Sequence, residues 1–319
     1  MPRQLNPQTG LLKNGAAASR SNADDYTLHA YADSTRTSYA SDWRDFTSWC
    51  AENGVSSLPA DPADVAKYLS AITTSDGAKT STMRRRVSAI NFYHDEVELE
   101  RPGASVQVRR LLRGVARMRR DDVDRAAPLR RELLARCVQA LAGAPLQILR
   151  DRMVLCVGFY GALRRSELVA IQVEHVTWHA EGMALMIPFS KTDQEGKGEV
   201  IAIRAVDDET CAVAAMRAWL AASAITEGPV VRGLSKHGTP RKGALSAGYV
   251  NEIVKAAVMR AGEDPEEFSG HSMRAGFVTS ARERGVPDRI IMHTTRHRDA
   301  RMIATYDRVG EAFHGAVEW

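Results

Sequence analysis

One stretch of this chain decides its fold more than any other: residues 161–168, which read GALRRSEL. Arg164 and Glu167 are three residues apart, so on a helix they share a face, and Glu167 is placed to hold Arg164 in position. A simple surface ion pair has the same spacing and contributes little to stability. This stretch therefore indicates a function only in combination with two others.

Two further clusters follow in the same half of the chain. Residues 270–274 read GHSMR and place His271 and Arg274 three apart at a predicted helix start, where free backbone N–H groups favour an anion such as phosphate. His297 is followed nine residues later by Tyr306. Tyrosine, with an unperturbed pKa of about 10, is a useful nucleophile only where a site stabilises its phenolate or removes its proton.

Taken together and in this order, the clusters resemble the tyrosine recombinases, the family that includes the phage integrases and its Cre-like branch. The family has an Arg with a Glu three residues on, a Lys on a β-hairpin, H-x-x-R, a His or Trp, and a Tyr nine residues later. The residues that fill these places are Arg164, Glu167, Lys191, His271, Arg274, His297 and Tyr306.

The resemblance implies a role for each of these side chains. Tyr306 would attack a DNA phosphodiester, and a clamp of Arg164, Arg274 and His297 would stabilise the charge that builds on the phosphate. Lys191 would protonate the departing 5′ oxygen, with Lys197 as the alternative, and His271 would assist proton transfer around Tyr306 or position it. The phosphotyrosine retains the bond energy, so the resemblance implies neither metal nor other cofactor, and no ATP.

The N-terminal half is similar to the helical core-binding domain of the Cre-like branch. Apolar residues recur at helical spacing over 34–118, and arginines cluster between positions 84 and 120. The planar fork of arginine suits phosphate, although a charge run is also typical of a solvated helix face. Across the whole chain, the residues we expect to contact DNA are Lys79, Met83, Arg84, Arg86, Arg113, Arg117, Arg241 and Lys242.

The expected fold class is mainly α: a two-domain DNA clamp with a small antiparallel β-sheet in the catalytic domain. A length of 319 residues favours two domains. We predict a disordered leader over 1–25, a helical DNA-binding domain over 26–120, a linker over 121–128 and a catalytic domain over 129–319. Strands at 183–189 and 199–204 form a predicted hairpin. A helix at about 308–319 is expected to dock on a neighbouring protomer, with docking on its own domain as the alternative.

The amino-acid composition limits the class of protein to which this chain can belong. Hydrophobic residues are 44% and charged residues 26% of the chain, as in soluble globular proteins, and the sequence shows neither a membrane-length apolar run nor a secretion signal. The net charge of +4 would not by itself predict nucleic-acid binding. Four widely spaced cysteines are expected to be small buried hydrophobes rather than metal ligands or disulfides: Cys50, Cys137, Cys156 and Cys211.

The resemblance also implies partners. These are double-stranded DNA with an inverted-repeat site and a homotetramer on synapsed DNA, preceded by a monomer or dimer. The expected location is the cytoplasm, at the nucleoid, with a prokaryotic, phage or plasmid origin. Rival interpretations are a telomere resolvase, a type IB topoisomerase, a DNA-binding regulator without catalysis, or a helical interaction protein.

The chain departs from the family pattern at two places. Thr295 and Arg296 precede His297 where many members carry Leu-Gly, so either the local turn differs or Arg296 adds a phosphate contact. Gly248 stands near the position where Cre-like enzymes place a base-reading arginine, so a different base preference is expected.

Overall fold

A computed structural model describes residues 33–75, 77–119, 126–188 and 198–297. They form two compact units, one on each side of position 123. Several predicted features lie outside the described residues, namely the leader, most of the linker, Lys191, Lys197, Tyr306 and the C-terminal helix. No helix in the described ranges is long and apolar enough to cross a membrane.

The described part of the N-terminal unit is built from helices. They are α1 (Asp33–Glu52), α2 (Pro62–Ser75), α3 (Thr80–Asp95) and α4 (Val106–Arg119), with a 3₁₀ turn at Pro102–Ala104. Their apolar stripes meet in one core, where the ring of Trp43 stacks on Tyr93 with 4.5 Å between centroids. All four helices lie within or next to the stretch 34–118, where the sequence shows helical apolar spacing, because apolar periodicity and the proline at position 102 are local signals.

The described part of the catalytic unit has helices and two small sheets. The helices are α5 (Arg131–Gln139), α6 (Pro145–Tyr160), α7 (Arg165–Ala170), α8 (Ala212–Ser223), α9 (Tyr249–Arg260), α10 (His271–Glu283) and α11 (Asp288–Thr295). The strands are β1 (Val176–His179), β2 (Gly182–Ile187), β3 (Glu199–Arg204), β4 (Arg232–Leu234) and β5 (Pro240–Ala244).

The strands make two antiparallel sheets, one in the order β1-β2-β3 and one of β4 with β5. The β2–β3 hairpin confirms the prediction, and Met186 pairs with Val200 in its register. Sequence reasoning missed β1, β4 and β5. These strands have three to five residues each, and β5 lacks the alternation of buried and exposed side chains that marks a strand.

Helix α6 lies at the centre of the catalytic core. Its residues 153–159 are buried without interruption, and it packs against α8 and α10. A helix that is apolar on every side belongs inside a domain, so the end of α6 at Tyr160 is firmly placed. The turn that carries Arg164 begins there. All four cysteines are buried and none forms a disulfide within the described residues, as expected.

A glycine on α10 allows the segment before α5 to lie directly on that helix. The Leu129 backbone N–H donates to the Ser272 carbonyl at 2.9 Å, and a Cβ at Gly276 would come within 1.8 Å of the Leu129 carbonyl oxygen. Neither backbone can move aside without disturbing α10, the helix that carries Arg274.

Replacing Gly276 by alanine should therefore destabilise the catalytic unit by about 1–3 kcal/mol through overpacking. Gly114→Ala is the matched control, because a Cβ there meets nothing within 4 Å and alanine is favoured inside helix α4. Thermal unfolding of both variants checks the expectation. An unchanged midpoint for Gly276→Ala would show that this close approach does not occur.

Candidate active site

The predicted catalytic residues that the structure describes come from three places in the catalytic unit. Arg164 is the N-cap of α7, with Glu167 in the first turn. His271 and Arg274 lie in the first turn of α10, and His297 follows the end of α11. Between α6 and α7 the chain turns at Ala162, whose φ is +45°, so that Arg164 faces α10.

Arg274 holds these elements together. Its side chain is buried, and its guanidinium donates to the Ala162 carbonyl at 2.7 Å, 112 residues away in sequence. It also donates to the Thr295 carbonyl and contacts His297 Nε2 at 3.0 Å. One side chain thus links the turn before α7, helix α10 and the end of α11.

Glu167 holds Arg164 as predicted. Its carboxylate accepts from the Arg164 guanidinium at 2.6 Å and from the Arg164 backbone N–H at 2.8 Å. The Glu167 side chain is 1% exposed, whereas the Arg164 side chain is 22% exposed. The simple surface ion pair weighed as the alternative is therefore excluded, since the carboxylate is buried and the arginine retains a face toward solvent.

The contacts of His297 define its tautomer. Arginine only donates, so His297 Nε2 accepts from Arg274 at 3.0 Å. On the other side, His297 Nδ1 lies 2.8 Å from Thr295 Oγ1. That hydroxyl is 2.8 Å from the Ile291 carbonyl and donates to it, so Nδ1 carries the proton and donates to Thr295. In this state His297 is neutral and Nε2 is an acceptor.

Burial and nearby positive charges lower the pKa of both histidines, His271 and His297. Burial first, and then the charges of Arg274 and Arg164, lower the pKa of His297 from 6.5 to about 4. His271 has an exposed edge, yet the protein packed on its other side, followed by Arg274 and Arg164, lowers its pKa as well. Such a cluster of cations is arranged to receive an anion, whose charge would raise both pKa values again.

The Arg296 side chain points into the protein rather than toward solvent. It ends α11 in the left-handed conformation with a φ of +57°, its side chain is 3% exposed, and its guanidinium lies 2.5 Å from the Glu167 carboxylate. Of the two alternatives raised for Thr295 and Arg296, the extra phosphate contact is therefore wrong in this structure, because the charge is turned inward.

The described part of the N-terminal unit carries a basic cleft of about 410 Å³ between α3 and α4, lined by Arg84, Arg109, Leu112 and Arg113. Arg113 and Arg117 are four apart on α4, on one exposed face, and Lys79 is exposed at the start of α3. These residues remain candidates for DNA contact. In the catalytic unit, Arg241 and Lys242 are exposed on β5.

Two predicted DNA contacts need correction. Met83 is fully buried in the N-terminal core, because the apolar stripe of α3 that places this helix includes it. Arg86 is largely buried, bonded to the Tyr68 hydroxyl and within 3.3 Å of Asp45. Its charge is already engaged inside the unit, so the structure assigns both side chains to the fold rather than to a DNA surface.

Sequence reasoning missed some of the residues that hold the site. Thr295 orients both His297 and Arg274 through its hydroxyl and its carbonyl. The Ala162 carbonyl holds Arg274 through a backbone atom, which leaves no mark in a residue pattern. A signal did exist for Arg296, since an arginine in a place where glycine is common needs a partner for its charge.

Known proteins match both halves of this chain. The model of the "Phage integrase family" matches residues 129–312, and the family's "N-terminal SAM-like domain" matches 27–100. The chain is 37% identical over 286 residues to the "Integrase/recombinase xerD homolog" of Selenomonas ruminantium, covering 88% of this chain and 83% of that protein.

Solved structures show the same fold at low identity. One is the XerH site-specific recombinase bound to palindromic difH substrate, with a TM-score of 0.64, 15% identity, and coverage of 88% of this chain and 79% of that one. Another is the Tn1549 transposon integrase in complex with circular intermediate DNA, with a TM-score of 0.60, 13% identity, and coverage of 92% and 97%.

The depressed pKa of His297 predicts a pH-dependent stability. Unfolding releases the imidazole to an ordinary pKa of 6.5 from about 4, so the unfolded state binds the extra proton and stability falls as the pH drops below 6.5. Between pH 7 and pH 5 this group should remove roughly 2 kcal/mol of stability.

His297→Gln should abolish that part of the pH dependence, measured as the difference in unfolding free energy between pH 7 and pH 5. His237→Gln is the control, since His237 is an exposed loop residue. Equal pH dependence in all three proteins would rule out a buried neutral His297.

Proposed function

The chain belongs to the phage integrase family and is a site-specific tyrosine recombinase, and from that premise we propose that Tyr306 is its nucleophile. Tyr306 would attack a DNA phosphodiester, form a 3′-phosphotyrosine and release a 5′-hydroxyl. Attack by the 5′-hydroxyl of a partner duplex would then exchange strands. The observation that carries the proposal is the convergence of Arg164, Arg274 and His297. Arg274 donates to the carbonyl of Ala162, two residues before Arg164, and contacts His297 Nε2, and the charges of both arginines act on His297.

These side chains are suited to the charge that cleavage creates. A phosphodiester under attack gains negative charge on its non-bridging oxygens, and preorganised cations stabilise it most in a site that excludes water. Arg274 is held by two carbonyls and Arg164 by a carboxylate, so neither guanidinium needs to reorganise. Charge-assisted hydrogen bonds of this kind are stronger than neutral ones.

His297 would change its protonation state when DNA binds. Nε2 is an acceptor in the described structure, so it must gain a proton before it donates to a phosphate oxygen. The negative charge of the phosphate favours that proton. We therefore assign His297 as a donor in the DNA complex, and His271 as the residue that assists proton transfer around Tyr306.

Lys191 is the proposed general acid, with Lys197 as the alternative. Both lie in the segment between β2 and β3, outside the described residues. The paired strands Gly182–Ile187 and Glu199–Arg204 support the hairpin that the family's lysine requires. We further propose a DNA-binding domain over 26–120 and a catalytic domain over 129–319, joined by a linker over 121–128, each of which contacts the DNA.

The proposed partners follow from the family and the charge distribution. XerH is solved on its palindromic difH substrate and the Tn1549 integrase on circular intermediate DNA, and we propose an inverted-repeat duplex for this chain. Strand exchange between two duplexes then calls for four protomers, with the helix at 308–319 docking on a neighbour. The Cre-like character of the N-terminal unit stays a prediction, since the similar proteins described above are Xer-type and transposon enzymes.

A nicked suicide substrate tests the nucleophile. Inverted repeats near the coding region, confirmed by footprinting, supply the DNA site. The natural protein should accumulate a covalent protein–DNA adduct, and Tyr306→Phe should form none while binding with unchanged affinity, because only the attacking oxygen is lost. Tyr39→Phe, in the N-terminal unit, is the control and should form the adduct.

The alternatives give other outcomes in the same experiment. A DNA-binding regulator would bind without any adduct, and a type IB topoisomerase would relax supercoils without a defined site or recombinant products. An adduct formed by Tyr306→Phe would overturn the assignment of the nucleophile.

The basic cleft makes a separate prediction about binding. Arg84→Gln and Arg113→Gln should each weaken DNA binding at low salt and reduce the slope of log affinity against log salt by about one, because each removes one phosphate contact. Arg86→Gln should lower the thermal stability of the N-terminal unit instead. Arg136→Gln is the control, since Arg136 is paired with Glu263. Unchanged salt slopes for Arg84→Gln and Arg113→Gln would exclude the cleft from the DNA interface.

A further inference from the structure

Arg296 occupies a position that is unfavourable for its residue type. Its φ of +57° lies in the left-handed region, which glycine adopts freely and an arginine adopts at a cost. It is also buried at 6% exposure, so its charge is taken out of water. A long cation placed against both preferences needs a compensating contact.

That contact is the carboxylate that holds Arg164. The Arg296 guanidinium donates to Glu167 Oε2 at 2.5 Å and to the Thr294 carbonyl at 3.0 Å. Glu167 Oε2 also accepts the Arg164 backbone N–H, while Glu167 Oε1 accepts the Arg164 side chain. One buried carboxylate is therefore shared between an arginine facing the site and an arginine behind it.

Arg296 also faces the strand that follows the lysine-bearing segment. Its Nε lies 3.5 Å from a carboxylate oxygen of Glu199, the first residue of β3. Neither of these two buried atoms has a hydrogen-bond partner within the part of the chain that the structure describes. The two atoms therefore face each other as an ion pair between the end of α11 and strand β3.

We propose that Arg296 is a positioning residue for strand cleavage: it holds Glu167, and through Glu167 it sets Arg164 against His297. The proposal rests on the function assigned above. Arg296 adjoins His297 in the chain, so the same backbone that places the histidine also anchors the partner of Arg164. Its contact with Glu199 extends this link to the hairpin.

The electrostatics of Glu167 support the arrangement. Burial raises its pKa, but the charge of Arg296 first, and then the hydrogen bonds from Arg164, outweigh burial and hold the pKa below its ordinary value. The charged groups around this carboxylate are Arg164 on α7 and Arg296 after α11. Glu199 on β3 lies beyond Arg296, and Arg274 and the two histidines lie beyond Arg164.

Loss of Arg296 should therefore raise the pKa of Glu167. Without that cation the buried carboxylate would bind a proton at a higher pH. A protonated Glu167 holds the Arg164 guanidinium less well. The defect should deepen as the pH falls, because the protonated fraction of Glu167 then grows.

The test uses the full-length protein and the suicide substrate at saturating DNA, with the rate of adduct formation followed from pH 5.5 to pH 8.5. Arg296→Gly relieves the backbone and removes the cation. It should slow the adduct about tenfold or more at neutral pH and shift the acid limb of the pH profile to higher pH. DNA affinity should stay within threefold. Arg296→Lys should restore part of the rate.

A double-mutant cycle with Glu167→Gln separates positioning from general damage. In that background, adding Arg296→Gly should change the rate less than threefold, because the carboxylate through which Arg296 acts is already gone. Arg289→Ala is the control and should retain the natural pH profile, because it removes an exposed cation of α11.

Three results would overturn the proposal. They are an Arg296→Gly protein with natural rate and pH profile, one with lowered thermal stability but natural rate when folded, and one whose rate loss persists in full in the Glu167→Gln background. Failure of the proposed function is distinguishable, since the natural protein would then form no Tyr306-dependent adduct at all.

Discussion

A buried carboxylate shared between two arginines is the interaction on which the catalytic geometry depends. Glu167 is 2% exposed, and an ionised carboxylate so far from water is stable only when its hydrogen bonds are satisfied. Arg164 and Arg296 satisfy them from opposite sides. Because Arg296 adjoins His297, this one group connects the helix that begins at Arg164 to the loop that carries the histidine.

The second connection runs through Arg274. Its guanidinium reaches the turn before α7 and the end of α11 through backbone carbonyls, so its position depends on the path of the chain more than on neighbouring side chains. Helix α10 is in turn placed by α6 and by the close approach of Leu129 to Gly276. The site is therefore assembled on the inner packing of the catalytic unit, and a change in that packing would alter the positions of Arg164, Arg274 and His297.

The clustered basic side chains repel one another, and bound DNA would reduce that repulsion. Burial and the adjacent arginines hold His297 neutral, with a pKa of about 4, and they lower the pKa of His271. Mutual repulsion of this kind disfavours the empty site and favours an anion within it. The same excess of positive charge would thus have two effects. It would favour binding of a phosphodiester, and the bound phosphate would in turn favour the proton that His297 needs.

Local sequence determined much of this protein. Apolar spacing over 34–118 predicted the helical N-terminal unit, strand signals predicted the β2–β3 hairpin, and the residues at 161–168, 270–274 and 297–306 indicated the chemistry. Short-range geometry dictates such patterns, because residues three apart on a helix share a face whatever surrounds them. Only the tertiary structure decided that Met83 and Arg86 serve the core and that Arg296 turns inward to Glu167. The partners of these side chains come from distant stretches of the chain, and a residue's type does not reveal which distant group will take up its charge or cover its surface.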